Sequence, residues 1–226
     1  LPYHKADKVR INNFTGKEIG VSKTWEKQTL GDFDSDPYED GKSINGINGW
    51  QGNGTTTPDS RSDLRAPVLD IMQGRTSVLI KDKITKHIST IPADGSKFSS
   101  LVRPRAKTEF VGLGIYDSGD NLILGVGTVD DLLFCKKGQE DTSANAWQRV
   151  THDILRFEIN LAPSVGYYRA YVYQGDNREI IDEGYLDSLK SDSLNYNSSQ
   201  IGAEGVDQLV DQFQFYSFGQ GDLEIL

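Results

Sequence analysis

The sequence predicts an all-β protein built as a two-sheet antiparallel β-sandwich. About ten to fourteen short runs of alternating apolar and polar residues are separated by turn residues, which is the spacing typical of sandwiches. The 226 residues include 23 glycines, as turn-rich β proteins require. No stretch has the length and the 3.6-residue period of a substantial helix.

Residues 25–226 are predicted to form one sandwich domain, because single all-β domains commonly reach this size. Residues 1–24 are predicted to be an N-terminal extension or a first strand, since only the short piece KVRINNF alternates there. Apolar residues make up 36% of the chain and aromatic residues 10%, which is enough for a buried core. The single cysteine, Cys135, excludes an intrachain disulfide, and its apolar neighbours predict a buried thiol.

The net charge, the apolar runs and the first residue each limit the partners and the location that we expect. A formal net charge of −9 would repel a phosphate backbone, so we expect no nucleic-acid partner. No run approaches the roughly 18 apolar residues of a membrane span, so we expect no membrane insertion. Leu1 is neither an initiator Met nor the start of a signal peptide. The first residue, the single Cys, the single Met and the Asn-rich turns together favour the processed form of a secreted or cell-surface protein.

The predicted strands follow one another with turns between them. They cover residues 25–33, 64–72, 75–82, 83–90, 98–102, 109–116, 121–129, 154–162, 167–176 and 208–218. Turn residues join three pairs as hairpins, at 73–74, 117–120 and 163–166. The one short helix that the pattern allows covers residues 187–195.

Glycines alternate along both arms of the central hairpin. They are Gly112, Gly114, Gly125 and Gly127. Because alternate residues share a face, one side of this hairpin lacks side chains, and another backbone or bulky aromatic rings must pack there. Elsewhere, Trp50 follows Gly46, Asn48 and Gly49, which are typical of turns with positive φ. We expect its indole to plug one end of the sandwich.

An acidic, glycine-rich run between Gly31 and Gly54 predicts a bound cation. Carboxylate oxygens are the ligands of calcium, and alternating carboxylates on an extended backbone point the same way. The expected Ca²⁺ ligands are Asp32, Asp34, Asp36 and Asp40, with Glu39 as a further candidate and Asp222 joining them in space. A solvated acidic loop is the alternative interpretation.

The strand YYRAYVYQ predicts a ligand-binding surface. Alternation places Tyr167, Arg169, Tyr171 and Tyr173 on one face, and Tyr168, Ala170 and Val172 on the other, which we expect to be core. If it lies on the concave sheet, the first set would form an aromatic and cationic platform for a glycan. On the convex sheet it would be only a half-exposed surface. Basic residues elsewhere could receive carboxylate or sulfate groups; they are Arg61, Arg65, Arg103 and Arg105.

Several motifs together resemble the concanavalin A-like, laminin-G-like jelly rolls of bacterial secreted proteins. They are Y-x-x-G-x-x-x-x-G-x-N-G-W from Tyr38 to Trp50, then VLIKD, VGLGIYDSGDNLILGVG and DQFQF. The resemblance covers roughly residues 25–226 and concerns turns and core positions. It implies two curved sheets, a concave face that often holds carbohydrate, and in many members a structural calcium.

Two further motifs are similar to strands of jelly-roll alginate lyases. RSDLR (residues 61–65) resembles their Arg-Ser-Glu-Leu-Arg strand, and YYRAYVYQ resembles their Tyr-Phe-Lys-Ala-Gly-Val-Tyr-Asn-Gln strand. This implies that Arg65 or Arg61 neutralises a uronate carboxylate while Tyr173 acts as the acid. The Gln-Ile-His motif of those lyases has no counterpart, and His87 and His152 are the nearest histidines.

Two functions follow from these patterns. The leading hypothesis is a carbohydrate-recognition domain for a neutral or acidic glycan, because no complete catalytic set is found. The alternative is a polysaccharide lyase that cleaves a uronic-acid-containing polysaccharide by β-elimination, with Arg65, Tyr173 and His87 as its catalytic residues. The sequence by itself leaves open whether the domain is an enzyme.

Overall fold

A computed structural model describes most of the predicted sandwich. The described residues are 25–31, 37, 41–58, 76–87, 95–104, 110–117, 119–138, 149–152, 154–190, 200–204 and 208–218. Residues 1–24 lie outside this set, so the prediction about the N-terminal extension stays a prediction.

Twelve antiparallel strands make up the described fold. They are β1 (Trp25–Gly31), β2 (Trp50–Pro58), β3 (Thr76–His87), β4 (Ser96–Pro104), β5 (Val111–Tyr116), β6 (Leu122–Val129), β7 (Leu132–Lys137), β8 (Leu155–Ala162), β9 (Tyr167–Gln174), β10 (Asn177–Tyr185), β11 (Gln200–Glu204) and β12 (Gln208–Phe218). The helices in the described residues are two 3-10 turns, Ile47–Gly49 and Asp187–Leu189. The all-β prediction is confirmed. A helix is expected over residues 187–195, and the described part of that range contains only the 3-10 turn Asp187–Leu189.

The strands form one continuous ladder that doubles over into two layers. The ladder runs β10-β9-β8-β4-β12-β3-β11-β5-β6-β7, with β1 paired to β12 and β2 paired to β3. Strands that are far apart in this order nevertheless contact one another: β4 contacts β5, β6 contacts β8, and β7 contacts β10. The first layer therefore contains β4, β8, β9 and β10, and the second contains β5, β6, β7 and β11.

The two long strands β3 and β12 join the layers because each changes partner along its length. The start of β12 pairs with β3, as Leu209 does with Leu79. Further along, the same strand pairs with β1, as Phe215 does with Gln28. In the same way β3 leaves β12 and pairs with β11 at its far end. Because β3 and β12 change neighbours, one continuous ladder can fold over into two layers with the core between them.

The core lies between the layers and consists of alternate residues of their strands. In β8 and β9 these include Phe157, Ile159, Tyr168, Ala170 and Val172. The predicted division of β9 into a core face and an outer face is therefore confirmed. Two other side chains are buried as expected, since Trp50 lies fully buried within this core and the Cys135 thiol is buried as well.

The glycines of the β5–β6 hairpin face one another, as predicted. Gly112 pairs with Gly127, and Gly114 pairs with Gly125. Both expected kinds of neighbour occur, because the backbone of the partner strand crowds the first pair and side chains cover the second.

A Cβ on Gly114 would lie 2.6 Å from the Tyr116 hydroxyl, and one on Gly125 would lie 3.1 Å from the ring of Phe110. Leu122 lies over both of these glycines. The hairpin thus fills this part of its outer face with its own side chains.

An ion pair closes the sandwich where β7 meets β10. Lys137 Nζ lies 2.9 Å from an oxygen of Asp182, and the Tyr168 hydroxyl donates a 2.7 Å hydrogen bond to the same carboxylate oxygen. Burial raises the pKa of Tyr168, so its phenol stays protonated and remains a donor to Asp182. Although burial opposes it, hydrogen bonding from Tyr168 and Lys137 lowers the pKa of Asp182. The edge strands of the two layers are therefore held together by charge as well as by packing.

Replacing Gly52 with alanine should destabilise the fold. Gly52 has φ 112° at the register shift between β2 and β3. An added Cβ would collide with the carbonyl oxygen of Lys83, and main-chain atoms cannot rotate away. Positive φ and the collision together should lower the free energy of unfolding by about 2 kcal/mol or more.

Gly49→Ala is the matched control for this prediction. Gly49 has φ 81°, but its Cβ would meet no atom within 4 Å, so only the backbone conformation is strained. We expect this control to cost about 1 kcal/mol. Urea denaturation measures both losses, and equal losses would contradict the collision at Gly52.

Candidate functional site

The outer face of the hairpin strands β8, β9 and β10 gathers polar and aromatic side chains into four rows across the sheet. The rows are Arg156–Tyr173–Arg178, Glu158–Tyr171–Ile180, Asn160–Arg169–Glu183 and Ala162–Tyr167–Tyr185. We call these twelve residues the tyrosine face. It contains all four residues of β9 that the sequence predicts to contact a ligand.

A β-bulge determines the composition of the last two rows. The register between β9 and β10 shifts between Ile180 and Asp182, so Ile181 is an extra residue in β10. The extra residue reverses the alternation of the strand beyond it. Ile181 lies in the core while Glu183 and Tyr185 reach the tyrosine face.

Glu158 is the centre of the first polar cluster. Its carboxylate is 5% exposed, yet it accepts a 2.6 Å hydrogen bond from Arg178 Nη2 and a 3.2 Å bond from the Tyr173 hydroxyl. Lys97 Nζ of β4 lies 3.9 Å from the same carboxylate. A buried carboxylate is tolerated only when it is paired in this way. Glu158 therefore holds Tyr173 and Arg178 in place.

Arg178 also covers one of the predicted ligand contacts. Its guanidinium carbon lies 3.6 Å from the ring centre of Tyr171 and 5.5 Å from that of Tyr173. This is a close cation–π stack, and Tyr171 is only 7% exposed beneath it. The Tyr171 ring consequently supports Arg178 instead of offering a free face to a ligand.

Arg169 is the centre of the second cluster. Its Nε donates to Glu183 Oε2 at 2.6 Å and to the Tyr167 hydroxyl at 3.0 Å, while Nη1 donates to the Tyr171 hydroxyl at 3.3 Å. Hydrogen bonding with Tyr171, partly offset by burial, and with Glu183 raises the pKa of Arg169. Burial and the bond to Glu183 likewise raise the pKa of Tyr167. Arg169 is therefore charged and Tyr167 protonated at neutral pH, and their mutual hydrogen bonds hold both side chains in place.

Exposed aromatic surface lies at one end of the face. The Tyr185 side chain is 75% exposed, and its ring centre lies 5.3 Å from that of Tyr167 with the planes tilted by 58°. Tyr185 thus has a ring face open to a ligand while Tyr167 supports it from the side.

The opposite end of the face is cationic and has a histidine beside it. Arg156 lies directly opposite Tyr173, and Arg103 lies on the same side of the neighbouring strand β4. The ring of His152 packs against the turn after β9, 3.0 Å from where a Cβ of Gly175 would be. His87, by contrast, is an exposed residue at the end of β3 that pairs with β11 of the second layer. Of these two histidines, His152 is the one at the Tyr173 end of the sheet.

The remaining predicted site residues lie outside the described part of the chain. They are Arg61, Arg65, Arg105, Asp32, Asp34, Asp36, Asp40 and Asp222. Their roles, including calcium binding, stay predictions. Within the described ranges, no group of three or more His, Cys, Asp or Glu side chains is placed to hold a metal ion. No described helix is long and apolar enough to cross a membrane.

Eight residues of the tyrosine face were not predicted from the sequence. They are Arg156, Glu158, Asn160, Ala162, Arg178, Ile180, Glu183 and Tyr185. The alternation of Arg156, Glu158 and Asn160 in β8 is a signal that could have identified these three polar residues. Glu183 and Tyr185 could not be assigned to this face without the bulge at Ile181, because they follow it in β10.

Comparisons with known proteins identify the fold. No protein-family model matches the chain, and no curated protein sequence matches it. An endo-1,3-beta-glucanase from Streptomyces sioyaensis superimposes with a TM-score of 0.51 at 10% identity, over 88% of this chain and 99% of that one. Peanut lectin superimposes with a TM-score of 0.51 at 9% identity, over 87% and 97%. BuGH16Bwt gives 0.50 at 11% identity, over 89% and 96%.

These structural neighbours are concanavalin A-like jelly-roll proteins, so the predicted fold is confirmed. At such low identity the similarity concerns the fold alone. The function of this chain has to be argued from its own side chains.

The ionisation of Tyr173 should weaken the fold at alkaline pH. Burial, together with the nearby Glu158 carboxylate, raises the pKa of Tyr173 to about 12. An unperturbed tyrosine titrates near pH ~10, so the folded protein holds this proton more tightly than the unfolded chain does. The resulting stabilisation is complete below pH ~10 and is lost as the pH rises toward 12.

Tyr173→Phe removes this titration and tests the prediction. We expect the denaturation midpoint of the variant to fall less steeply than that of the wild type over this alkaline range. The difference between their tyrosinate absorbance titrations should give the pKa of Tyr173 directly. Parallel stability curves, or a difference titration centred near pH ~10, would show that Tyr173 is not held in the environment described.

Proposed function

We propose that this domain is a carbohydrate-recognition module that binds a glycan on the tyrosine face. The observation that carries the proposal is the combination of a fixed polar network with an exposed aromatic ring. Sugars present hydroxyl groups at their rims and C–H groups on their faces. The hydroxyl groups can form hydrogen bonds with the charged, planar groups of Arg169 and Glu183, and the C–H groups can pack on the open ring of Tyr185.

Preorganisation supports binding at this face. Arg169 already makes three side-chain hydrogen bonds, and Arg178 is held by Glu158 and by the Tyr171 ring. Side chains that are fixed before binding lose little conformational entropy when a ligand arrives. The network therefore lowers the entropic cost of recognising a weakly apolar ligand such as a sugar.

The fold is consistent with the proposal without establishing it. Two structural neighbours are named as a lectin and an endo-1,3-beta-glucanase, so the concanavalin A-like framework serves carbohydrate binding or cleavage in those proteins. The framework alone does not transmit an activity.

The pairing of the carboxylates favours binding over hydrolysis. Glycoside hydrolysis by a protein carboxylate pair needs one free acid and one free base or nucleophile. On the described tyrosine face, Glu158 is buried against Arg178 and Glu183 is bonded to Arg169. Both carboxylates are occupied in holding arginines in place.

Tyr185→Ala should weaken glycan binding. Loss of one stacking ring typically costs about 0.5–1.5 kcal/mol beyond its buried area, so we expect roughly threefold to tenfold weaker affinity. A glycan array would identify the ligand, and calorimetric titration of the best glycan would measure the change. Val165→Ala, an exposed apolar residue in the turn between β8 and β9, is the control and should bind as the wild type does. If both variants bind with equal affinity, Tyr185 is not part of the site. If no glycan on the array binds, the proposed function is wrong.

A second candidate function is β-elimination of a uronic-acid-containing polysaccharide. One observation favours it: Arg156 lies opposite Tyr173 and His152 packs on the turn that follows Gln174, so an arginine, a tyrosine and a histidine share one end of the sheet. An arginine can neutralise a uronate carboxylate and so acidify the neighbouring proton. The raised pKa of Tyr173, about 12, keeps the phenol protonated, so that it carries a proton for the leaving oxygen. His152 is the residue at this end that would take up the acidified proton.

An absorbance assay separates the two candidates, because a lyase generates an unsaturated uronate and a binding module generates no product. If the lyase candidate holds, absorbance should grow on alginate, pectate, glucuronan or ulvan. Tyr173→Phe should lower the rate by about a hundredfold or more, the usual contribution of a general acid. Val165→Ala, in the exposed turn between β8 and β9, should retain activity. Absence of absorbance change on all four polymers would leave the binding module as the function.

A further inference from the structure

We propose that the glycan is anionic and that Arg156 binds its carboxylate or sulfate group at the Tyr173 end of the tyrosine face. This inference rests on the proposed glycan-binding function and specifies its ligand class. The ligand is a uronate-containing or sulfated oligosaccharide. Its planar carboxylate or its tetrahedral sulfate would offer a guanidinium anionic oxygens that accept hydrogen bonds.

The sign of the local charge is the first argument. The chain as a whole carries a net charge of −9, yet cations outnumber carboxylates among the described side chains of this outer surface. The cations are Lys97, Arg103, Arg156, Arg169 and Arg178, and the carboxylates are Glu158 and Glu183. A basic surface on an acidic protein attracts an anionic partner that the remaining surface repels.

The pairing pattern is the second argument. Glu158 bonds to Arg178 and lies near Lys97, and Glu183 bonds to Arg169, so both carboxylates are already shared among other cations. Arg156 forms no ion pair or hydrogen bond with the part of the chain that the structure describes.

The surroundings of Arg156 strengthen its pull on an anion. It is half-buried, with Tyr173 beside it on β9 and Leu101, 1% exposed, beside it on β4. Limited exposure reduces solvent screening, so an oxyanion placed here would gain a charge-assisted hydrogen bond that no described residue provides.

An unpaired acceptor on the same strand is the third argument. Asn160 Oδ1 is buried, and no described residue donates a hydrogen bond to it. Such an acceptor is costly to leave unpaired, and a sugar hydroxyl is a suitable donor. Arg156 and Asn160 are four residues apart on one face of β8, which corresponds to about 13 Å along the strand. A ligand that reaches both is an oligosaccharide lying along β8 and β9, with Tyr185 at its far end.

Calorimetric titration with matched probes tests the inference. The probes are oligogalacturonate with its methyl ester, and chondroitin sulfate oligosaccharide with its desulfated form. The wild type should bind at least one acidic probe about tenfold or more tightly than its less charged counterpart, with affinity falling as salt is added. Binding that favours oligogalacturonate would identify a carboxylate as the anion, and binding that favours chondroitin sulfate would identify a sulfate.

Two variants assign the effect to the named residues. Arg156→Gln should lose about tenfold or more in affinity for the acidic probe and should bind the two members of the pair nearly equally. Asn160→Ala should lose severalfold with no change in salt dependence. Arg149→Gln removes the same charge from an exposed site outside the face and should bind as the wild type does. Unchanged circular dichroism and melting temperature of each variant would show that folding is intact.

The possible failures are distinguishable. If the wild type binds neither acidic probe more tightly than its less charged counterpart, or if Arg156→Gln binds the acidic probe as tightly as the wild type, the anion inference is wrong while glycan binding through Tyr185 stands. If neither these probes nor the glycan array gives binding, both the inference and the proposed function are wrong.

Discussion

The arrangement of the candidate site depends on the requirement that a buried carboxylate be paired. Glu158 is buried on the outer face of β8, and its two oxygens are met by Arg178, Tyr173 and Lys97. Removing Arg178, the closer of the two cations, would leave this buried charge poorly compensated. The same pairing stacks Arg178 on Tyr171, and burial together with the Glu158 carboxylate raises the pKa of Tyr173. Because Glu158 is engaged in this way, no described carboxylate pairs with Arg156.

The two layers of the sandwich differ in what their outer faces offer. On the second layer, Tyr116, Leu122 and Phe110 lie across the paired glycines of β5 and β6. Lys83 lies 5.2 Å from the Tyr116 ring centre and covers it further. On the first layer, β8, β9 and β10 carry large outward-facing side chains that form hydrogen bonds with one another across the strands. The described part of the second layer is thus closed by its own side chains, while the first presents functional groups.

The same geometry supports recognition more directly than catalysis. Arg169, Glu158 and Glu183 are held by mutual bonds, and a group used for support is not free to exchange a proton with a substrate. Within the described tyrosine face, the residue types that elimination requires lie at the Arg156 end, with Tyr173 and His152 near it. Binding and elimination would both favour an anionic polymer there, and only turnover separates them.

The sequence by itself determined the features that depend on local periodicity. Strand alternation identified the two faces of β9, and glycine spacing identified the β5–β6 hairpin, because both patterns repeat every two residues. Only the tertiary structure decided which side chains meet across strands. The bulge at Ile181 brought Glu183 and Tyr185 to the face, and the packing of the turn at Gly175 placed His152 near Tyr173. Register and bulges depend on strands that are distant along the chain, and a local pattern carries no information about them.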